Sequence, residues 1–216
     1  MYIAIEGVIG VGKTTLARLL QPSFEADLLL EVFEENPFLS DFYSDRARYA
    51  FQTQIFFLLS RYRQQRESIA RTLAEQRSLI SDYTFEKDAL FASINLQGDE
   101  LEMYYRVHEA LAEKIPDPNL IVYLRASTDV LMQRIAQRDR SYEREMEHSY
   151  IDELNHAYDD FFFKRNNRTS AVLVIDTNQL DIVRNPQDLH LVASRIRQAL
   201  TLSPFQPELP IVFNSD

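Results

Sequence analysis

Glycine occurs four times in 216 residues, and three of those positions, Gly7, Gly10 and Gly12, fall within six residues directly before Lys13, Thr14 and Thr15. Residues 7–14 match the phosphate-loop pattern G-x-x-x-x-G-K-[ST] at every specified position. The apolar run at residues 2–6 can form a buried strand before the loop, and Leu16-Ala17-Arg18-Leu19-Leu20 continues as a helix after it. Strand, glycine loop and helix in this register make a concavity of backbone N–H groups at the positive end of a helix dipole. Gly7, Gly10, Val11, Gly12, Thr14 and Thr15 are therefore expected to cradle a polyphosphate, with Lys13 reaching the outer phosphates and the Thr14 hydroxyl available to magnesium. The fold this demands is an α/β sandwich, in which loop and helix cover the carboxyl end of a parallel strand.

Further strands are expected at residues 28–32, 78–82, 120–124 and 171–175. Helical periodicity covers 45–76, 99–114, 128–137, 149–166 and 186–200, with Asn185 a candidate cap ahead of Pro186. The expectation is a three-layer α/β sandwich on a five-stranded parallel sheet carrying the phosphate loop. Residues 1–202 would form one domain, with a lid near 138–148 and a proline-containing tail at 203–216.

Composition narrows the partners. A net charge of −10 argues against a nucleic-acid surface, and the absence of cysteine removes disulfides and thiolate chemistry. The chain begins its first strand at once, no apolar run approaches a membrane span, and a cytoplasmic location is the default expectation. The four histidines show no metal-ligand spacing and read as packing or surface residues. Lysine is as scarce as glycine, with four in the chain, so its use at Lys13 is informative.

Charged residues collect where strands end. Glu31 emerges beside the loop and can take a proton from an attacking hydroxyl or hold magnesium. Asp82 closes a hydrophobic run, an arrangement suited to a magnesium ligand. Arg134, Arg138, Arg140 and Arg144 lie near one short segment and can neutralise a transferring phosphoryl group as a lid, with Arg134 also a candidate to contact the bound triphosphate.

The chain resembles the deoxynucleoside kinase family, in particular its bacterial deoxyguanosine/deoxyadenosine kinase branch. The likeness rests on IEGVIGVGKTTLA at 5–17, EVFEENPFLSDFY at 31–43, RARYAFQTQIFFLLSR at 46–61, SDYTFEKDALFA at 81–92 and RIAQRDRSYE at 134–143. It implies that Glu31 is the general base for the sugar 5′-hydroxyl, that Gln54 with the pair Arg61 and Asp88 reads the base, and that Tyr43 and Glu143 hold the 3′-hydroxyl. Arg138 and Arg140 match its phosphate-contacting arginines. It also implies ATP as phosphoryl donor, Mg2+, and a homodimer formed through helices.

Two departures stand out. Relatives often carry an arginine directly after the acid of the third strand, where this chain has Tyr83, and the group replacing that guanidinium is open. The usual stacking aromatic is Ala92, so Phe91, Phe33 or Phe38 are the candidates. Arg61 and Asp88, both large and polar, argue against a thymidine pocket and for a purine deoxynucleoside, with deoxycytidine also open. A nucleoside monophosphate kinase shares loop and lid but needs arginines for the acceptor phosphate, and the acceptor side here offers Gln54, Tyr43 and Asp88. A non-catalytic nucleotide switch is the remaining alternative, although neither Asn-Lys-x-Asp nor Leu-Ser-Gly-Gly-Gln occurs.

Overall fold

The computed structural model describes residues 1–144, 146–164 and 169–202, so the tail expected at 203–216 lies outside the described residues. Strands β1 (Tyr2–Glu6), β2 (Ala26–Leu29), β3 (Ser78–Ser81), β4 (Leu120–Arg125) and β5 (Ala171–Asp176) pair in parallel in the order β2-β3-β1-β4-β5. Helices α1 (Lys13–Phe24), α2 (Leu39–Ser44), α3 (Arg46–Ala74), α4 (Glu86–Asn95), α5 (Gly98–Ala112), α6 (Thr128–Arg138), α7 (His148–Lys164) and α8 (Pro186–Ala199) complete the expected α/β sandwich.

The central strand shows why the layers form. Alternate side chains of β1 point to opposite faces. Tyr2 and Ala4 join a cluster with Leu29, Ile69, Leu79 and Tyr83, while Ile3 and Ile5 enter the larger core that contains Leu16, Leu20, Val122 and Ile196. Both faces are apolar, so both must be covered, and a continuous hydrophobic strand is the sequence signature of that burial. Burying each such isoleucine contributes roughly 1.5–3 kcal/mol relative to leaving it exposed.

Register then brings the chemistry together. β1 lies beside β3, with Tyr2 opposite Leu79 and Ala4 opposite Ser81, so the loop after β1 and Asp82 after β3 share one carboxyl edge. Glu6, fully buried at the end of β1, ties this edge down. Its Oε1 accepts from the Thr84 N–H at 2.6 Å and the Thr84 hydroxyl at 2.9 Å, and its Oε2 accepts from the Tyr158 hydroxyl at 3.2 Å.

The second strand departs from expectation. It starts at Ala26 and its ladder stops at Leu29, short of the expected 28–32. The groups beyond it are satisfied by side chains: Gln64 Nε2 donates to the Leu30 carbonyl, and the Glu31 N–H donates to Asp82 Oδ1. Leaving the ladder early frees Glu31 from the sheet.

Helices α2 and α4 were not expected. In α4 the side chains of Lys87 and Asp88 are buried alongside Leu90 and Ala92, so a charged pair occupies the face that periodicity assigns to apolar residues. The anticipated cap at Asn185 is present, its Oδ1 accepting from Gln187 N at 3.1 Å. Of the histidines, His108 packs as expected, stacked on Phe85 with ring centroids 4.8 Å apart. No helix among the described residues is long and apolar enough to cross a membrane.

Candidate active site

The phosphate loop is built by sterics. Gly7 has φ +146°, and a Cβ there would lie 2.5 Å from the Leu124 carbonyl oxygen, so only glycine lets the loop rest on β4. At Gly10, φ is +86° and a Cβ would meet Ile135 at 2.8 Å, which keeps the loop against α6. Helix α1 follows from Gly12 with no side-chain cap and no acid in its first turn, so its leading N–H groups and positive dipole end stay open to an anion. Lys13 Nζ donates to the carbonyls of Gly7 at 2.7 Å and Val8 at 3.1 Å, which holds the ammonium across the loop. Burial, helped by the nearby Lys87 charge, brings its pKa down to about 8.

Thr14 and Asp82, each expected at magnesium, lie in contact: the Thr14 hydroxyl donates to Asp82 Oδ2, while Asp82 Oδ1 accepts the Glu31 N–H at 2.8 Å. An uncharged hydroxyl and a carboxylate at the mouth of the loop are the hard oxygen donors that magnesium takes, so this pair fits the ion. Glu31 touches the pair through its backbone. Its carboxylate is turned toward cations, with Arg61 donating to Oε1 and Lys87 Nζ donating to Oε2 at 2.7 Å. Burial alone would push this carboxyl up, but the charges of Arg61 and Lys87 overcome it and hold it well below the usual carboxylate range.

Arg61 is the hub. Seven residues beyond Gln54 on α3, its Nε donates to Glu31 at 3.0 Å, its Nη1 donates to Asp88 of α4, and its guanidinium lies 4.4 Å from the centre of the Phe57 ring. Gln54, Arg61 and Asp88 are all buried, at 2%, 5% and 0% exposure. Among the described residues Thr53 Oγ1, Gln54 Oε1 and Asp88 Oδ2 have no hydrogen-bond partner. Buried polar atoms are rarely left so; Thr53 and Gln54 line one pocket with Arg61, Glu31, Lys13 and Thr14, Asp88 is bound to Arg61 outside that lining, and Gln65, also unpartnered, lines another cavity.

The far wall of that pocket includes residues of the segment for which a lid was expected. Tyr43 lines it from α2, and Arg138, Arg140 and Glu143 line it from the end of α6 and the 3₁₀ turn Ser141–Glu143. Glu143 is buried and accepts from Arg138 Nη2 at 2.6 Å, and Arg140 Nη1 lies 3.6 Å away. The four lid arginines do not act as one group. Arg144 pairs with Asp139 on the surface, whereas Arg134 donates to the Val11 carbonyl at 3.3 Å and to Thr177 Oγ1 at 3.0 Å. Arg134 thereby bridges the loop to a second cleft, lined by Gly12, Thr15, Thr177, Asn178, Asp181 and Arg184.

Sequence reasoning missed Lys87, Phe57 and the loop after β5. The scarcity that singled out Lys13 applies equally to Lys87 and was the available signal; nothing in the spacing marked Thr177 or Asn178. Of the three aromatics considered for base stacking, Phe33 and Phe91 line the pocket with Phe57, and Phe38 does not.

A family model described as deoxynucleoside kinase matches residues 3–201. The chain is 34% identical over 201 residues to the deoxyguanosine kinase of Bacillus subtilis (strain 168), covering 92% of this chain and 97% of that one. It is 35% identical over 162 residues to the deoxyadenosine kinase of Dictyostelium discoideum, covering 74% of this chain and 66% of that one. Among solved structures, deoxyadenosine kinase from M. mycoides with the products dCMP and dCDP aligns with a TM-score of 0.79 at 26% identity, covering 92% of this chain and all of that one. The same M. mycoides enzyme with bound dATP aligns at a TM-score of 0.77 and 25% identity.

Proposed function

The chain belongs to the deoxynucleoside kinase family, and from that premise we propose that its pocket transfers the γ-phosphoryl group of ATP to the 5′-hydroxyl of a purine deoxynucleoside. The protein is an ATP-dependent deoxynucleoside kinase, a phosphotransferase. The purine preference rests on one observation: the unpartnered acceptors Gln54 Oε1 and Asp88 Oδ2 beside the Arg61 donor. Guanine offers two adjacent N–H donors next to a carbonyl acceptor, and adenine an amino group, so either edge can satisfy these atoms; cytosine also carries an amino group, which keeps deoxycytidine as the second candidate. Thymine, with a single N–H, leaves one acceptor bare, and an unmet buried group costs roughly 1–3 kcal/mol.

In the proposed mechanism the base lies between the Phe57 and Phe91 side of the pocket and the lid. Tyr43 and Glu143 hold the 3′-hydroxyl, which fixes the sugar so that its 5′-oxygen faces Glu31. Glu31 accepts the proton as the oxygen attacks. Lys13, Arg138 and Arg140 face the charge that develops on the phosphoryl group. Thr14 and Asp82 would hold Mg2+, which when bound would neutralise charge on the phosphate oxygens. Arg134, fixed to Val11 and Thr177, positions the donor nucleotide over the second cleft, where Asn178, Asp181 and Arg184 meet its base. The segment 138–148 serves as the lid of a domain spanning 1–202. A homodimer is part of the proposal, supported by the exposed apolar Leu59 on α3 and Met103 on the neighbouring α5.

The test is phosphate transfer from labelled ATP to each of the four deoxynucleosides and to deoxyguanosine monophosphate. Incorporation into deoxyguanosine or deoxyadenosine, and none into the monophosphate, is expected. Preference for thymidine would overturn the purine reading.

A further inference from the structure

One buried charge in the pocket belongs to none of the roles above. Lys87 stands in the first turn of α4, 7% exposed, on the pocket wall that carries Glu31, Asp82, Lys13 and Thr14. Its Nζ donates to Glu31 Oε2 at 2.7 Å and lies 5.5 Å from the centre of the Phe91 ring. Tyr83, where relatives often carry a guanidinium, is fully buried and turned away, its hydroxyl donating to Gln64 Oε1 at 2.5 Å. A buried ammonium is costly to keep unless it is paired, and this one is held against the oxygen of Glu31 that Arg61 does not engage.

We infer that Lys87 is a positioning residue for phosphoryl transfer: it fixes the Oε2 side of the Glu31 carboxylate so that the carboxylate meets the attacking hydroxyl in line. The inference rests on the reading of Glu31 as proton acceptor. Two cations grip the two oxygens from different helices, Arg61 from α3 and Lys87 from α4, so the carboxylate plane cannot rotate. Arg61 also binds Asp88, the neighbour of Lys87, so base reader and proton acceptor are clamped by one four-residue network.

The experiment is a double-mutant cycle on the full chain, with Lys87→Met, Lys87→Arg, Glu31→Gln and the Lys87→Met/Glu31→Gln pair. ATP affinity and circular dichroism serve as checks of folding. Lys87→Met should lower kcat about 10²-fold, the scale of a misplaced reacting group, with the KM for deoxyguanosine changed about threefold or less. Lys87→Arg should recover most of that loss. In the Glu31→Gln background the Lys87→Met change should cost nothing further, because it acts through the carboxylate.

A Lys87→Met enzyme within about twofold of wild-type kcat, or losses that multiply in the pair, overturns the inference. If Lys87→Met does not fold, a folded Lys87→Arg enzyme decides: retained kcat supports the role, and a loss of about 10²-fold overturns it. Undiminished kcat in Glu31→Gln overturns the reading of Glu31 itself, a result separable from failure at Lys87 alone.

Discussion

Replacing Glu31 by glutamine keeps the volume of the side chain and removes its charge. The consequences can be worked from its contacts. Arg61 donates to Oε1 and Lys87 to Oε2. An amide offers one acceptor oxygen, so one buried cation must face an NH2 group. Breaking one arm of a buried charge pair costs about 3–5 kcal/mol. Glu31 retains some solvent contact, its side chain 13% exposed, which favours the lower end. At roughly 2–4 °C per kcal/mol for a chain of this size, the melting temperature should fall by roughly 6–12 °C.

The loss depends on pH. Glu31 is held below its ordinary value of 4.5, burial opposing and the cations winning. A depressed carboxyl contributes stability that is present above the unfolded pKa and is lost as pH falls toward the folded one. The melting difference between wild type and Glu31→Gln should therefore be constant near neutrality and narrow below 4.5. Activity should fall further than stability, by about 10²–10⁴-fold in kcat, the usual contribution of a general base. ATP affinity should change little, because the loop does not contact the carboxylate. Differential scanning fluorimetry from pH 4 to 8 and steady-state assays at saturating ATP supply the measurements. A kcat within about tenfold of wild type would refute the proton-acceptor role. A pH-independent melting difference would refute the ion-pair account.

Other consequences are smaller in scope. Lys13 titrates near 8 in the free enzyme, through burial and the Lys87 charge, and phosphates bind its protonated form. The Kd for ATP should thus be flat below neutrality and rise up to about tenfold per pH unit above that pKa; calorimetry showing a flat Kd up to pH 10 would contradict it. Glu143→Ala should erase the preference for deoxyguanosine over its 3′-deoxy analogue, a loss of about 10–100-fold in kcat/KM from one charge-assisted hydrogen bond. An unchanged ratio between the two substrates would remove Glu143 from sugar recognition. Gly7→Ala places its Cβ 2.5 Å from the Leu124 oxygen at φ +146°, so thermal unfolding should show a loss of at least about 1–3 kcal/mol, together with weakened ATP binding. A variant as stable as wild type would mean that the loop can lift from β4.

Residue order alone determined the donor half of this molecule. The loop glycines, Lys13 and Thr14 are contiguous, and their roles follow from backbone conformation and helix polarity, which are local. The strands were legible for a related reason: β1, β3 and β4 are buried on both faces or nearly so, and β5, at the sheet edge, is still half-buried along its middle, so their apolar runs survive without any knowledge of partners. The acceptor half was legible only through likeness to a family, because Glu31, Gln54, Arg61 and Asp88 are separated by up to 57 residues and no spacing rule joins them.

Tertiary structure decided what those residues touch. It ended β2 at Leu29, since Asp82 and Gln64 offered the next backbone groups better partners than the sheet did. It divided an arginine run that reads as one patch, sending Arg134 to the second cleft beside Thr177, Arg138 and Arg140 to the pocket, and Arg144 to the surface against Asp139. Above all it turned α4 inward and brought Lys87 to Glu31, a contact across 56 positions. A helix whose charged residues face the core inverts the polarity pattern by which sequence reports burial. Only the pairing partners, supplied from other elements, make such an arrangement stable.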